Sequence, residues 1–163
     1  MSDDSLKNKL AGIALCSVPA EASGAEAPAV PVPLISETGR AAKGYDLDVT
    51  VPAERVTAAA QILDEAGFML EAITGVDWLP EQQMEVVYDY TLVVTGDRVV
   101  VRTRVPRAAP ELPTISSVHP GANWHERETH DFFGVQFTGH PDMSPLLLPE
   151  DADFHPLRKD FGA

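Results

Sequence analysis

MEVVYDYTLVVTGDRVVVRTRV, residues 84–105, is the stretch on which the fold class turns. Met84 to Val94 is rich in Val and Tyr, whose branched and aromatic side chains suit a pleated surface. Thr95-Gly96-Asp97 supplies a turn. From Arg98 to Val105 the chain alternates, with Val99, Val101 and Thr103 on one side and Arg98, Arg102 and Arg104 on the other. The expectation is a hairpin with one basic face.

Working upstream, Phe68 to Thr74 reads as a further strand and Gly75 to Gln83 as a loop. Pro52 opens a helix running to about Ala66, with Val56, Ala59, Ala60 and Leu63 on one face and Gly67 as its stop. Before it, Leu47, Val49 and Val51 alternate with Asp46, Asp48 and Thr50, the period of a half-buried strand. Downstream, Pro106, Pro110, Pro113 and Pro120 mark an irregular connection, Asn123 to Phe133 has helical character, and Gly134 offers an exit. The order strand, helix, strand, strand, strand, helix predicts an α+β fold: a small mixed or antiparallel sheet with helices on one face. Three regions are expected: an N-terminal helix and Ala/Pro-rich arm over 1–44, the α+β domain over 45–134, and an irregular C-terminal docking tail over 135–163. The tail holds Pro141, Pro145, Pro149 and Pro156 beside Leu146, Leu147, Leu148, Phe154 and Phe161. So much apolar surface without periodicity has to be buried against its own domain or a neighbour.

With 163 residues, 44% hydrophobic and 23% charged, the chain is sized for one globular core. A formal charge of −13 is the wrong sign for a nucleic-acid partner. The single cysteine, Cys16, cannot form an intramolecular disulfide and is too few for an iron–sulfur cluster or structural zinc site. No apolar run reaches the length of a membrane-spanning helix. The stretch Leu10 to Val18, after Lys7 and Lys9, superficially suggests a lipoprotein signal. Asp3 and Asp4 and the bulky Leu15 before Cys16 argue against one, and Leu6, Leu10 and Ile13 fit a short amphipathic helix instead.

His125-Glu126-Arg127-Glu128-Thr129-His130 looks at first like a zinc-protease helix. Its histidines are five apart, however, and five helical steps set them roughly 140° apart, on different faces. His119, His140 and His155 each precede proline and read as turns. No phosphate loop or nucleophile elbow is present. Arg127 and Asp131 stand at i,i+4 among Trp124, Phe132 and Phe133, and Arg158, Lys159 and Asp160 lie between Leu157 and Phe161. Residue type leaves two readings open, a solvated face with internal ion pairs or a protein interface. A free-standing enzyme with Glu128 or Asp131 as general base is a third, more remote reading.

Read as one unit, ANWHERETHDFFGVQFTGHPD (122–142) and LLLPEDADFHPLRKDF (146–161) resemble the signature region of the 30 kDa subunit family of NADH:quinone oxidoreductase, respiratory complex I. The matching features are Trp124, Glu126-Arg127-Glu128, Asp131, Phe133-Gly134-Val135, Gly139-His140-Pro141-Asp142 and His155 to Phe161. Weaker similarity extends upstream through Ile73-Thr74-Gly75-Val76-Asp77, Val86-Val87-Tyr88 and 112–120. The resemblance implies a noncatalytic structural subunit of the peripheral arm, on the cytoplasmic side of the membrane. Its implied partners are the large hydrogenase-related (49 kDa-type) subunit and a neighbouring iron–sulfur subunit. It implies no cofactor in this chain; iron–sulfur clusters, FMN/NADH and quinone belong to partners. Trp124, Glu126, Arg127, Glu128, Asp131, His140, His155, Arg158, Lys159 and Asp160 are the implied partner-interface residues. Met143-Ser144-Pro145 after the turn, and the end at Ala163 soon after RKDF, depart from quinone-reducing relatives. The run PLLLPED with HPLRKDF is similar to subunits of group 4 membrane-bound nickel–iron hydrogenases and formate hydrogenlyases, the alternative setting, with a nickel–iron centre on a partner.

Overall fold

The computed structural model describes residues 3–14 and 34–162. Cys16 and the Ala/Pro-rich stretch through residue 33, read above as an arm, lie outside the described residues. A five-stranded mixed sheet forms the centre, built from β1 (Ile35–Glu37), β2 (Leu47–Thr50), β3 (Met69–Trp78), β4 (Gln83–Leu92) and β5 (Asp97–Pro106) in the order β1-β2-β5-β4-β3. The expected hairpin is β4 with β5, antiparallel from Met84 opposite Val105 to Leu92 opposite Asp97. β2 runs parallel to β5, and the remaining pairs in this sheet are antiparallel.

The alternating pattern sorts the two faces. Val49, Met84, Val86, Tyr88, Tyr90, Val99 and Val101 are buried inward. Over them lies α3 (Val56–Glu65), whose Val56, Ala59, Ala60 and Leu63 form the buried face read from the sequence. α1 (Asp3–Ala11) covers α3 in turn, with Leu6 and Leu10 buried and ion pairs from Lys7 to Glu37 and Lys9 to Glu65. Burying a side chain of Leu63's size is worth roughly 1.5–3 kcal/mol, and this layer shares one continuous core with Leu112, Ile115, Val135 and Phe137. The opposite face carries the arginines, but it is neutralised in place. Arg102 Nε sits 3.1 Å from Asp48 Oδ1, Arg104 Nε 3.1 Å from Glu85 Oε1, and the Arg104 guanidinium lies 4.6 Å from the Trp78 ring centroid.

Three features differ from the sequence reading. β3 continues through the expected loop to Trp78, because β4 is long enough to pair with Val76 and Trp78 through Glu85 and Gln83. The edge strand β1 precedes Tyr45, and a four-residue helix α2 (Arg40–Lys43) joins it to β2. The proline-marked connection and the tail each contribute a short strand, β6 (Glu111–Pro113) and β7 (Gln136–Thr138), paired in parallel on either side of α4 (Ala122–Phe133). Three-residue strands bounded by proline have no period to betray them.

Candidate partner-docking site

α4 is held on the inner face of β3 by an unusually close approach. A Cβ at Gly75 would lie 2.5 Å from Phe133 Cδ2, so only glycine lets that ring rest on the strand. At the helix end Gly134 adopts φ 75° and its N–H caps the helix through His130 O. Its bare α-carbon admits the tail: a Cβ there would meet His155 Nε2 at 2.5 Å and Arg158 Nη2 at 2.7 Å.

α4 then distributes its charges in different directions. Glu126 points inward with Ala122 and Thr129, all buried, and its side chain has no exposure. It accepts hydrogen bonds from Thr114 Oγ1 (2.5 Å) and Ile115 N (2.8 Å). Burial pushes its carboxyl above the ordinary range, partly offset by these two donors. Arg127 and Asp131 do not pair with each other. Both instead clasp residues 142–148, a strap that crosses the helix. Arg127 donates from Nε to Ser144 O (3.0 Å) and from Nη2 to Ser144 Oγ (3.2 Å) and Pro145 O (3.1 Å). Its guanidinium also lies 5.6 Å from the Trp124 ring centroid. Asp131 Oδ2 accepts three successive backbone N–H groups, of Leu146 (2.9 Å), Leu147 (2.7 Å) and Leu148 (3.1 Å). Burial by itself would raise the Asp131 carboxyl, but these donors outweigh it and hold it below the ordinary carboxylate range.

The last segment is fastened by similar means. His155 Nδ1 donates to Asp131 O (2.9 Å), and Arg158 Nε to Phe133 O (2.8 Å). Lys159 N donates to Asp77 Oδ2 (2.8 Å), while Asp160 meets Arg107. Asp77 and Arg107 form a two-pronged pair, Oδ1 to Nε at 2.8 Å and Oδ2 to Nη2 at 3.0 Å, with side chains 1% and 11% exposed. Arg107 depresses the Asp77 carboxyl, and Asp77 raises Arg107 further.

Of the residues singled out from the sequence, Arg127, Asp131, His155, Arg158, Lys159 and Asp160 therefore gather on one unit of helix, strap and tail. His140 joins the buried side of that unit, 3.8 Å from Glu126. Glu128 is exposed on α4. The reading of a helix face closed by its own ion pairs gives way to charges bound by backbone groups. Glu126 and Asp131, grouped above with interface residues, spend their oxygens inside the chain, because each is buried and already supplied with donors. Asp77 and Arg107, the anchor of the tail, were not found from residue type. Thirty positions apart, they carry no local pattern; only the periodicity of Ala122, Glu126 and Thr129, at i, i+4 and i+7, could have flagged the inward turn of Glu126. Among the described residues no group of three or more His, Cys, Asp or Glu side chains is arranged to hold a metal ion.

Among its exposed charged groups, such as Glu128, Glu150, Asp151 and Lys159, the unit also turns large apolar side chains outward. Trp124 is 61% exposed, and Leu147, Phe154, Leu157 and Phe161 are also exposed, with the Phe154 and Phe161 rings 5.6 Å apart. Bulky side chains displayed on a backbone that polar groups hold in place are suited to contact with another protein.

Comparison with known proteins bears on the same segment. Residues 49–163 match the family described as Respiratory-chain NADH dehydrogenase, 30 Kd subunit. The C subunit of NADH-quinone oxidoreductase from Roseiflexus sp. (strain RS-1) is 43% identical over 120 residues, covering 71% of this chain and 69% of that protein. The C/D subunit of NADH-quinone oxidoreductase from Phocaeicola vulgatus is 40% identical over 116 residues, 69% of this chain but 22% of that longer one. Among solved structures, a chain of the membrane-bound sulfane sulfur reductase, an archaeal respiratory membrane complex, superposes with a TM-score of 0.64 at 35% identity, over 70% of each chain.

Proposed function

The chain belongs to the respiratory-chain NADH dehydrogenase 30 kDa subunit family, and from that premise we propose that it is a noncatalytic structural subunit of the peripheral arm of a complex-I-type NADH:quinone oxidoreductase. In this role it stabilises the large hydrogenase-related subunit while electron transfer is coupled to proton translocation. It sits beside an iron–sulfur subunit, on the cytoplasmic face of the membrane, held there by partners. The clusters, flavin and quinone site belong to those partners.

One observation carries the reading: in the C-terminal third Glu126 and Asp131 spend their oxygens on groups of the same chain while Trp124, Leu147, Phe154, Leu157 and Phe161 face outward. The Phocaeicola vulgatus relative, whose name joins C with D, lends support on the identity of the partner. A D part carried in one chain with the C part there is the natural occupant of the apolar tail surface here. Trp124, Arg127, Glu128, Arg158 and Lys159 form the proposed contact, with Glu126, Asp131, His140, His155 and Asp160 behind it as its frame.

A second reading has its own support, the likeness to a chain of the sulfane sulfur reductase. The same scaffold then serves a related membrane complex with another terminal reaction, such as a group 4 nickel–iron hydrogenase or formate hydrogenlyase. Partners recovered by gentle detergent extraction separate the two: an NADH-oxidising flavoprotein supports the first, hydrogen evolution without one the second.

The docking role is tested with the double substitution Leu157→Ser and Phe161→Ser. The expected outcome is an unchanged circular dichroism spectrum and loss of the large subunit on native gels, since truncated interface anchors cost upwards of about 2 kcal/mol of binding. Unaltered assembly, or substrate turnover by the purified chain alone, overturns the reading.

A further inference from the structure

Behind the docking surface lies a buried pair that docking itself does not use. Glu126 and His140 both have side chains without solvent exposure, and His140 Nε2 is 3.8 Å from Glu126 Oε2. That distance is beyond a hydrogen bond, and Nε2 has no other partner among the described residues. The other ring nitrogen, Nδ1, accepts the backbone N–H of Asp142 at 3.1 Å. A ring nitrogen that accepts carries no proton. The closed turn therefore requires a neutral His140 with its hydrogen on Nε2, the nitrogen 3.8 Å from the carboxylate.

We propose that His140 is a proton-operated latch on the strap: a second proton on its ring has to sit on Nδ1, where it opposes the Asp142 N–H, so charging the ring opens the 139–142 turn and loosens residues 142–148. The turn leads directly into the strap, through Ser144 N bound to Asp142 Oδ1 at 2.9 Å and then the Asp131 and Arg127 contacts. The charged state has its own acceptor. Once Asp142 lets go, a small movement of the ring closes the 3.8 Å gap and converts the contact into a charge-assisted hydrogen bond to Glu126.

The titratable and charged groups around the pair come from each surrounding element. Glu126 and Arg127 belong to α4, and Asp142, which feels both Arg127 and His140, to the turn. Tyr88 and Tyr90 on β4 feel the Glu126 charge, and the loop before α4 contributes His119, its ring 5.4 Å from that of Tyr90. A proton taken by Glu126 leaves the turn closed, since that carboxyl does not touch Asp142. Of the two members of the pair, His140 is the one whose protonation acts on the strap, at a step separate from the loss of the Asp131 carboxylate at lower pH. The latch belongs to the chain's own conformation and does not depend on the docking reading.

The experiment uses the full-length chain, labelled with nitrogen-15, and follows the imidazole nitrogens and the strap amides by NMR as pH is lowered, with His140→Gln to assign the ring. The expected result is a hydrogen on Nε2 at neutral pH. Charging of the ring should then coincide with exchange of the Asp142, Leu146, Leu147 and Leu148 amides accelerating on the order of tenfold beyond the intrinsic pH effect, as for loss of one hydrogen bond. That extra acceleration should vanish in His140→Gln. A neutral ring with its hydrogen on Nδ1, or a ring that charges while strap exchange stays unchanged, overturns the latch. If His140→Gln fails to fold, His140→Asn serves: its amide oxygen can accept the Asp142 N–H but takes up no proton, so the extra acceleration should again vanish, and its persistence overturns the latch.

Discussion

The half of the molecule made by α3 and the sheet and the third made by α4, strap and tail are built on opposite rules. In the first, Val49, Leu63, Val86 and Val101 are buried, and the charges of Asp48, Glu85, Arg102 and Arg104 stay on the outer face. In the second, Glu126 and Asp131 are tucked within, and the tail is anchored on the buried pair of Asp77 and Arg107 at the edge of the sheet, while Leu147, Phe154, Leu157 and Phe161 are left outside. A domain that folds for itself hides its hydrophobic groups. A region that leaves several large apolar groups outside on a frame of buried polar ones is suited to be covered by another chain.

The sharpest way to break this contrast is Asp77→Ala. Removing the carboxylate leaves Arg107, which is 11% exposed, with only the exposed Asp160 as a carboxylate partner and frees the Lys159 amide. Losing one member of a buried pair costs about 3–5 kcal/mol. Hydrogen exchange should show residues 157–161 released first; if β4 and β5 open in step with them, the two regions are one cooperative unit and the contrast fails.

Asp131→Asn should be milder, about 1.5–3 kcal/mol at neutral pH, the range for hydrogen bonds to a charged acceptor. Its effect should have a definite sign with pH. The Asp131 carboxyl is depressed in the folded chain, so the stability it contributes is complete above the unfolded carboxylate value near 3.9 and is lost as pH falls through the lower folded value. Urea denaturation of the two proteins should therefore converge below about pH 4. The smallest effect belongs to Leu147→Ser. With 58% exposure, it should move the folding free energy by no more than about 0.5 kcal/mol, measured by the urea midpoint. A larger loss would mean that the outward apolar groups belong to the chain's own core.

Much of the first half was legible in the sequence, because periodicity reports burial directly. Val99, Val101 and Thr103 against Arg98, Arg102 and Arg104 are the two faces of β5, and Val56, Ala59, Ala60 and Leu63 are the buried stripe of α3. Even α1, read from Leu6 and Leu10, followed this logic. The second region was legible as a signature and not as a geometry. Asp77 looked like a loop residue, since an inward aspartate at the end of a strand violates the alternation that reveals strands. Glu126, Arg127 and Glu128 read as one charged cluster, although successive helical residues point roughly 100° apart. β6 and β7 offered only three residues each. Where hydrogen bonds to the main chain hold a segment in place, the side chains that sequence reading relies on say little about its path.

Asp131 has one more consequence. It grips the strap through three consecutive amide groups, which every residue except proline possesses. The grip itself thus makes no demand, proline apart, on the outward side chain of Leu147. Over generations such a scaffold can exchange the lettering on its outward surface, following changes in whatever it touches, while the rail beneath keeps its course.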